Sequence, residues 1–552
     1  MNKKAQTVAS AALLITAVTL ASRIVGFGRW MAQGWSLGSG GVGQPFNTAN
    51  TLPNILFEVA AGGALAGAIV PLVAGPLARA ALTDDGSKDA HTVASRNASA
   101  LLGWTLTVLI PLGGIVAIAA RPITTGLLNV TDPVIAEVAT GFLRVFALQI
   151  PLYGLAVVLG GILQAHCKFF WPAFAPLISS LVVIGVYVGF RLMGQDPSNV
   201  PALTTSALNW LAWGTTAGVA FLAIPLLLPA YRTGLRIRPT LRFPEGEGSR
   251  ALRLASAGIG ALIAQQLSAL IVLRTAQGFG TTTYSVFLYT QQVYLLPYAV
   301  LAFPIATSAF PKLTELASRK AFTELNTLVS NTTRALLVAV SVGVAALIAA
   351  SRQIGAVFDL VVHGDAPGMA MGLTFMAPGL LGFALILHLS RVLYAVDRGR
   401  AAVMATAAGW LVVALLAALA PVFVGHHPDP SAGIAVFGAA TTVGMLVAGI
   451  GLMIAVRTVL GPSAIQGLPR TVGLLVLGIA AGGAVGHLIP IHASPLINGE
   501  VRFSSSALGA NLGLGAAAGV IAIVVMAAIA CLDPNLRRIL SAGVRKVSAK
   551  IH

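Results

Sequence analysis

Fourteen apolar stretches follow one another along the chain, near 10–34, 48–78, 97–118, 134–163, 170–190, 207–229, 254–278, 284–310, 335–350, 368–396, 401–424, 432–456, 471–490 and 509–531. A helix that crosses the hydrocarbon core needs about 20 apolar residues. In lipid each backbone N–H and C=O must be bonded within the structure, so continuous stretches of this kind fold as spanning helices. The expected fold class is therefore an all-α polytopic membrane protein of about 14 transmembrane helices. Only 9% of the 552 residues are charged and 57% are apolar, against about 25% and 45–50% in a soluble domain. That balance excludes a cytosolic enzyme, a disordered tail protein and a secreted disulfide scaffold. Sixty glycines suit the close helix packing that small residues allow in lipid.

The charges sort by side. With the N-terminus inside, the outer loops carry only Arg121, Arg191, Arg352 and Arg502. Five arginines fall within spans: Arg23, Arg29, Arg144, Arg274 and Arg391. The rest of the 34 Lys and Arg lie in inner segments. This bias orients the chain in the cytoplasmic membrane with both termini cytoplasmic. It also assigns the formal net charge of +17 to topology and contact with anionic lipid, not to nucleic acid. Cys167 and Cys531 both fall on the reducing side, so no disulfide is expected. Lys3 and Lys4 precede an apolar run that continues through Arg23 and Arg29 without a clear cleavage site, which reads as a retained first span.

The largest loop, 231–253, is basic and broken by Pro and Gly. It separates an N-lobe, 1–230 (spans 1–6), from a C-lobe, 254–457 (spans 7–12). Residues 458–531 add spans 13 and 14. In the tail, 532–552, Leu536, Ile539, Leu540, Val544, Val547 and Ile551 form a helical stripe opposite five basic residues. That pattern predicts a helix lying on the cytoplasmic leaflet. The second and eighth spans echo each other, with Leu52-Pro53 and Pro71 against Leu296-Pro297 and Pro311. Pro-broken spans in corresponding places point to a transporter whose halves rock about a central site. The plainer reading is that proline is tolerated in membrane helices.

Charge inside the membrane is the most informative feature. Of 17 carboxylates only Glu58 lies deep in a span, against the five intramembrane arginines. A charge at mid-bilayer costs about 2.5–3.5 kcal/mol even on insertion scales, so these side chains are expected to face a cavity. A positive cavity suits an anionic substrate, and the planar Arg fork grips phosphate with two parallel hydrogen bonds. Arg29 lies six residues, roughly 9 Å, beyond Arg23 along a helix, with Gly26 and Gly28 between them as a possible bend. Glu58 comes at the depth of Arg23 and is its expected partner. Arg274 and Arg391 also admit snorkelling to an interface.

The other classes fare worse. Antiport of cationic drugs calls for buried carboxylates, of which there is one. The outer-loop Asp132, Asp196, Asp359, Asp365 and Asp429 sit in Pro/Gly turns, where Asp is ordinary turn chemistry, so no catalytic site is expected. His426-His427 is the single histidine cluster, with no ligand set around it, so neither a metal nor a cofactor is expected.

The stretch Ala21-Ser22-Arg23-Ile24-Val25-Gly26-Phe27-Gly28-Arg29 resembles the first-span signature of the MurJ (MviN) family, the lipid II flippases of the multidrug/oligosaccharidyl-lipid/polysaccharide exporter superfamily. Phe46 to Leu65 is similar to the form this family takes in high-GC Gram-positive bacteria, and Ile162 to Leu177 and Arg391 to Arg400 fit as well. The resemblance implies a V-shaped pair of six-helix lobes with a cationic central cavity, plus two extra helices forming a groove for a polyprenyl tail. It implies lipid II, undecaprenyl-pyrophosphoryl disaccharide-pentapeptide, as substrate, moved by alternating access under a membrane potential or ion gradient, with the cell-wall synthesis machinery as a further partner. Arg23 and Arg29 would contact the pyrophosphate. With Asn50 and Asn54 of the matching second-span stretch, the expected substrate-binding set is Arg23, Arg29, Arg144, Glu58, Asn50, Asn54, Arg274 and Arg391. The chain departs from the family pattern at Gln44, Glu58, Gly62 and Gln291-Gln292, and no carboxylate stands in span 7. These departures keep open a same-fold exporter of another polyprenyl-linked saccharide, or a non-transporting scaffold of wall synthesis.

Overall fold

A computed structural model describes residues 3–59, 69, 71–76, 87–235, 238–244, 247–249, 251, 259–425, 429–492, 496–497, 500–501 and 503–532. The tail stripe at 536–551, the His426-His427 pair and Arg502 lie outside the described residues. Those described are helical apart from turns and two antiparallel two-residue strands, Leu496–Ile497 and Glu500–Val501. Among the described residues eleven helices are long and apolar enough to cross a membrane, or twelve if one pair bent by 47° is a single span. These match the third to fourteenth expected spans. The first two fall on a helix whose early side chains, and on a segment whose later residues, lie outside the described set. The chain is a multi-pass helical membrane protein.

It divides into two compact units, Met1–Gln266 and Leu267–His552. The first contains α1 (Lys3–Leu37), α2 (Gly43–Phe57), α3 (Ser87–Ile118), α4 (Pro133–Phe146), α5 (Gln149–Ala165), α6 (Phe170–Leu192) and α7 (Thr205–Tyr231). The division falls within α8 (Ile259–Ala276). The second unit continues with α9 (Thr283–Pro297), α10 (Phe303–Ser318), α11 (Phe322–Val361), α12 (Met369–Met376), α13 (Gly379–Ala395), α14 (Gly399–Ala418), α15 (Pro430–Leu460), α16 (Leu468–His487) and α17 (Ser505–Ala530). The last two pack on each other and on α11.

The aspartates of the expected outer turns do local work. Asp132 caps α4 by accepting from the Val134 and Ile135 N–H groups, each at 2.9 Å, and Asp429 caps α15 by accepting from Ser431. Both caps satisfy N–H groups that the first helical turn leaves orphaned. Asp196 accepts from the Ser198 hydroxyl at 2.7 Å and its N–H at 2.9 Å, which together hold the carboxyl below its ordinary range.

The two Pro-broken spans share a device. α2 contains Pro53 and passes into a wider π turn at Glu58–Val59, and α9 ends at Pro297 and passes into one over Tyr298–Ala302 before α10 begins. Proline removes an N–H from the ladder, and a π turn is one way a helix absorbs the mismatch.

One aromatic hub organises the first unit. Phe46, fully buried, meets Phe142, Phe146 and Tyr187 edge-on with centroids 5.6, 5.4 and 5.9 Å away, tying α2 to α4 and α6. In the second unit glycine sets the helix spacing. A Cβ at Gly382 of α13 would collide with the Met445 carbonyl of α15. We expect Gly382→Leu to destabilise the protein by roughly 3 kcal/mol through this overpacking, seen as a lower thermal midpoint in detergent. At Gly26, where a Cβ meets only open space, alanine should be neutral or stabilise by up to about 1 kcal/mol.

Candidate substrate site

The site is built on α1, α2, α5 and α6 of the first unit. α1 runs uninterrupted through Gly26 and Gly28 and carries Arg29 on its more buried half. The Arg29 guanidinium lies 5.5 Å from the Trp30 ring centroid, and its buried Nε meets no hydrogen-bond partner among the described residues. Around it runs a chain of side-chain hydrogen bonds. The Tyr187 hydroxyl donates to Gln33 Oε1 at 3.3 Å, and Gln33 Nε2 donates to Asn47 Oδ1 at 2.6 Å. All three residues are buried. A second branch sits on α2: the Tyr153 hydroxyl of α5 donates to Asn54 Oδ1 at 3.1 Å, and Asn54 Nδ2 donates to the Asn50 carbonyl at 2.9 Å. The Asn50 side-chain oxygen is buried and has no partner among the described residues. Arg29 stands one turn before Gln33 on the same face of α1, and Phe57, next to Glu58 on α2, lies with its ring centroid 4.4 Å from that of Tyr153.

Four of the expected residues, Arg29, Asn50, Asn54 and Glu58, thus share one neighbourhood. The tyrosines that join them, and Gln33 and Asn47, escaped the sequence reading. Their one signal is polarity within apolar runs, which is weak beside a full charge. A part-buried guanidinium with an unpartnered Nε, close to amide and hydroxyl groups, can take an oxyanion through its N–H fork. The network itself is fragile in a defined way. Tyr187→Phe strands Gln33 Oε1 in the core, and we expect a loss of about 1–3 kcal/mol, measurable as a thermal shift with α-helical content unchanged.

The remaining four residues lie elsewhere. Arg23 is exposed on α1, and Glu58 is exposed at the end of α2. The expected Arg23–Glu58 ion pair is not formed, and Glu58 pairs with no cation among the described residues. Equal depth did not fix which way each side chain points about its helix. Arg144 is exposed on α4 and lines a separate groove of about 450 Å³ with Arg121, Glu137, Thr140 and Asn209. In the second unit Arg274 is exposed in the last turn of α8. Arg391 of α13 lies 5.8 Å from the ring centroids of both Phe303 and Phe310 of α10, a cation–π arrangement that holds it against its own unit.

Comparison with known proteins places this architecture. The family described as lipid II flippase MurJ matches residues 35–494. A probable lipid II flippase MurJ of Rhizobium meliloti (strain 1021) is 30% identical over 234 residues, covering 40% of this chain and 40% of that protein. The aligned stretch thus spans well under half the length of this curated relative. A solved lipid II flippase MurJ in an inward closed conformation superposes with a TM-score of 0.66 at 18% identity, covering 92% of this chain and 98% of that one. An inward-facing multidrug resistance transporter of the MATE family, in the MOP superfamily, gives 0.61 at 14% identity, covering 83% and 99%. At these identities the two structures speak to the fold alone. The family match extends over most of the sequence, and on that ground the chain belongs to the lipid II flippase MurJ family.

Proposed function

We propose that this protein carries lipid II from the inner to the outer leaflet of the cytoplasmic membrane by alternating access, as a transporter and not an enzyme. Family membership supports the substrate. The single structural observation behind the mechanism is Arg29, a part-buried guanidinium one turn before Gln33 on α1 whose Nε has no partner among the described residues. The pyrophosphate of lipid II is the group such a fork accepts. Arg23, exposed six residues earlier on α1, serves the same anion as it enters or leaves. Asn50 and Asn54 offer amides to the sugar or phosphate oxygens beside it. No resident cofactor takes part. The driving force is the membrane potential or an ion gradient, the two ends of this sequence lie on the cytoplasmic side, anionic lipids surround the basic inner loops, and the wall-synthesis machinery receives the product.

Depletion of the protein in its host tests this reading. Lipid II accumulating on the inner face supports it. Accumulation of a different polyprenyl-linked saccharide would assign that substrate instead, and unchanged lipid pools would make the protein a scaffold.

A further inference from the structure

A second polar site lies in the first unit, away from the elements that carry Arg29. After α7 the chain turns at Gly234, which takes φ +82°, and runs back along α3. Three hydrogen bonds stitch it there. The Thr240 N–H donates to the Ser99 carbonyl at 3.2 Å, the Arg238 N–H to the Ser99 hydroxyl at 3.0 Å, and the Trp104 indole N–H to the Leu241 carbonyl at 3.0 Å. A side chain at Gly103 would run into the Thr240 backbone, so the close approach of linker and helix requires glycine at this position.

Between them lies a cavity of about 550 Å³ lined by Thr92, Ser95, Arg96, Ser99, Arg238 and Thr240. That volume is within the ~300–1,000 Å³ of small-molecule sites. Among the described residues its lining is one-sided: two arginines, four hydroxyl-bearing residues and no carboxylate. Neither guanidinium has a hydrogen bond or ion pair with any described residue. One arginine stands on the helix and the other on a linker whose backbone is hydrogen-bonded to that helix, so the fold brings both positions to the same cavity.

We propose that this cavity binds a phosphate group. Two arginines with no carboxylate among the described lining residues disfavour a cation and a neutral sugar. An anion with three or four acceptor oxygens can take both forks and the hydroxyls together. Arg96 and Arg238 both belong to segments that the charge bias places on the cytoplasmic side. The phosphate is there supplied either by the headgroup of an anionic phospholipid or by a soluble phosphate compound. This site does not depend on the transport reading, since it shares no residue with the Arg29 set.

The test uses the full chain with an Arg96→Gln/Arg238→Gln pair, and an Arg398→Gln/Arg400→Gln pair as an equally exposed basic control. Both altered pairs should match the parent in elution volume and thermal midpoint without added anion, because the side chains removed are exposed. In one arm, protein in neutral detergent is titrated with inorganic phosphate against chloride at equal ionic strength, and the thermal shift is read. In the other, protein from phosphatidylcholine nanodiscs with and without phosphatidylglycerol is examined by native mass spectrometry for retained phosphatidylglycerol. The affinity in one arm should fall roughly tenfold or more for the Arg96/Arg238 pair, the size expected for lost charge-assisted hydrogen bonds, and stay unchanged for the control. Loss in the phosphatidylglycerol arm assigns a lipid headgroup. Loss in the phosphate arm assigns a soluble phosphate. If the Arg96/Arg238 pair behaves as the control in both arms, the proposal is overturned.

Discussion

Arg29→Ala should cut lipid II translocation by about 100-fold or more, since two charge-assisted hydrogen bonds to phosphate contribute about 1.5–3 kcal/mol each. The protein should still insert and accumulate. The Arg29 Nε has no partner among the described residues, so what alanine removes is a grip on substrate and a contact with Trp30. Arg29→Lys restores the charge but not the fork and should recover activity only in part. The measurement is complementation of a depleted host together with the amount of lipid II on each face. Full complementation by Arg29→Ala at native expression would remove Arg29 from the mechanism. Arg23→Ala should be milder, because Arg23 lies on the exposed face of α1 and outside the tyrosine network.

Phe46→Ala is the change expected to cost most in stability, about 3–5 kcal/mol. Its ring touches three other buried rings from two helices, so alanine leaves a cavity whose walls are themselves rigid aromatics and cannot close in. Phe46→Leu keeps much of the volume and should lose less than half as much. Thermal unfolding in detergent, followed by circular dichroism, reads both. A Phe46→Ala midpoint within a degree or two of the parent would mean that the hub is not a keystone of the first unit.

The architecture was legible because lipid punishes every charge and unpaired backbone group, and twelve of the expected spans correspond to long apolar helices or a bent pair. Arg29 was legible for the same reason: a cation in an apolar run must be accounted for. What surrounds it was not. Tyr153 and Tyr187 carry no charge and sit in membrane helices as readily as phenylalanine, and their partners Asn54 and Gln33 lie 99 and 154 residues away. Depth along a helix can be counted from sequence, but azimuth cannot once neighbouring helices choose which face is covered. That is why Glu58 reads as the counter-ion of Arg23 and is exposed without it. Arg391 shows the same limit, since a count of charges cannot see that Phe303 and Phe310 flank it.

The burial of α2 changes sharply along its length. Gly43 through Ala49 are all buried, as are Leu52 and Pro53, whereas Asn54 to Phe57 are only partly covered and Glu58 is exposed. Mechanically the helix is a beam clamped at one end. Its first half is fixed by the Phe46 rings and the Gln33–Asn47 bond, and the residue at which the clamp ends is a proline. Displacement of this unit during a transport cycle would be concentrated beyond Pro53, where bending meets least resistance, and the amides from Thr48 to Leu52 would exchange with deuterium far more slowly than those from Ile55 to Glu58. A push applied at Glu58 would then be delivered to Asn54 and Tyr153, beside Arg29, before it reached the clamped half.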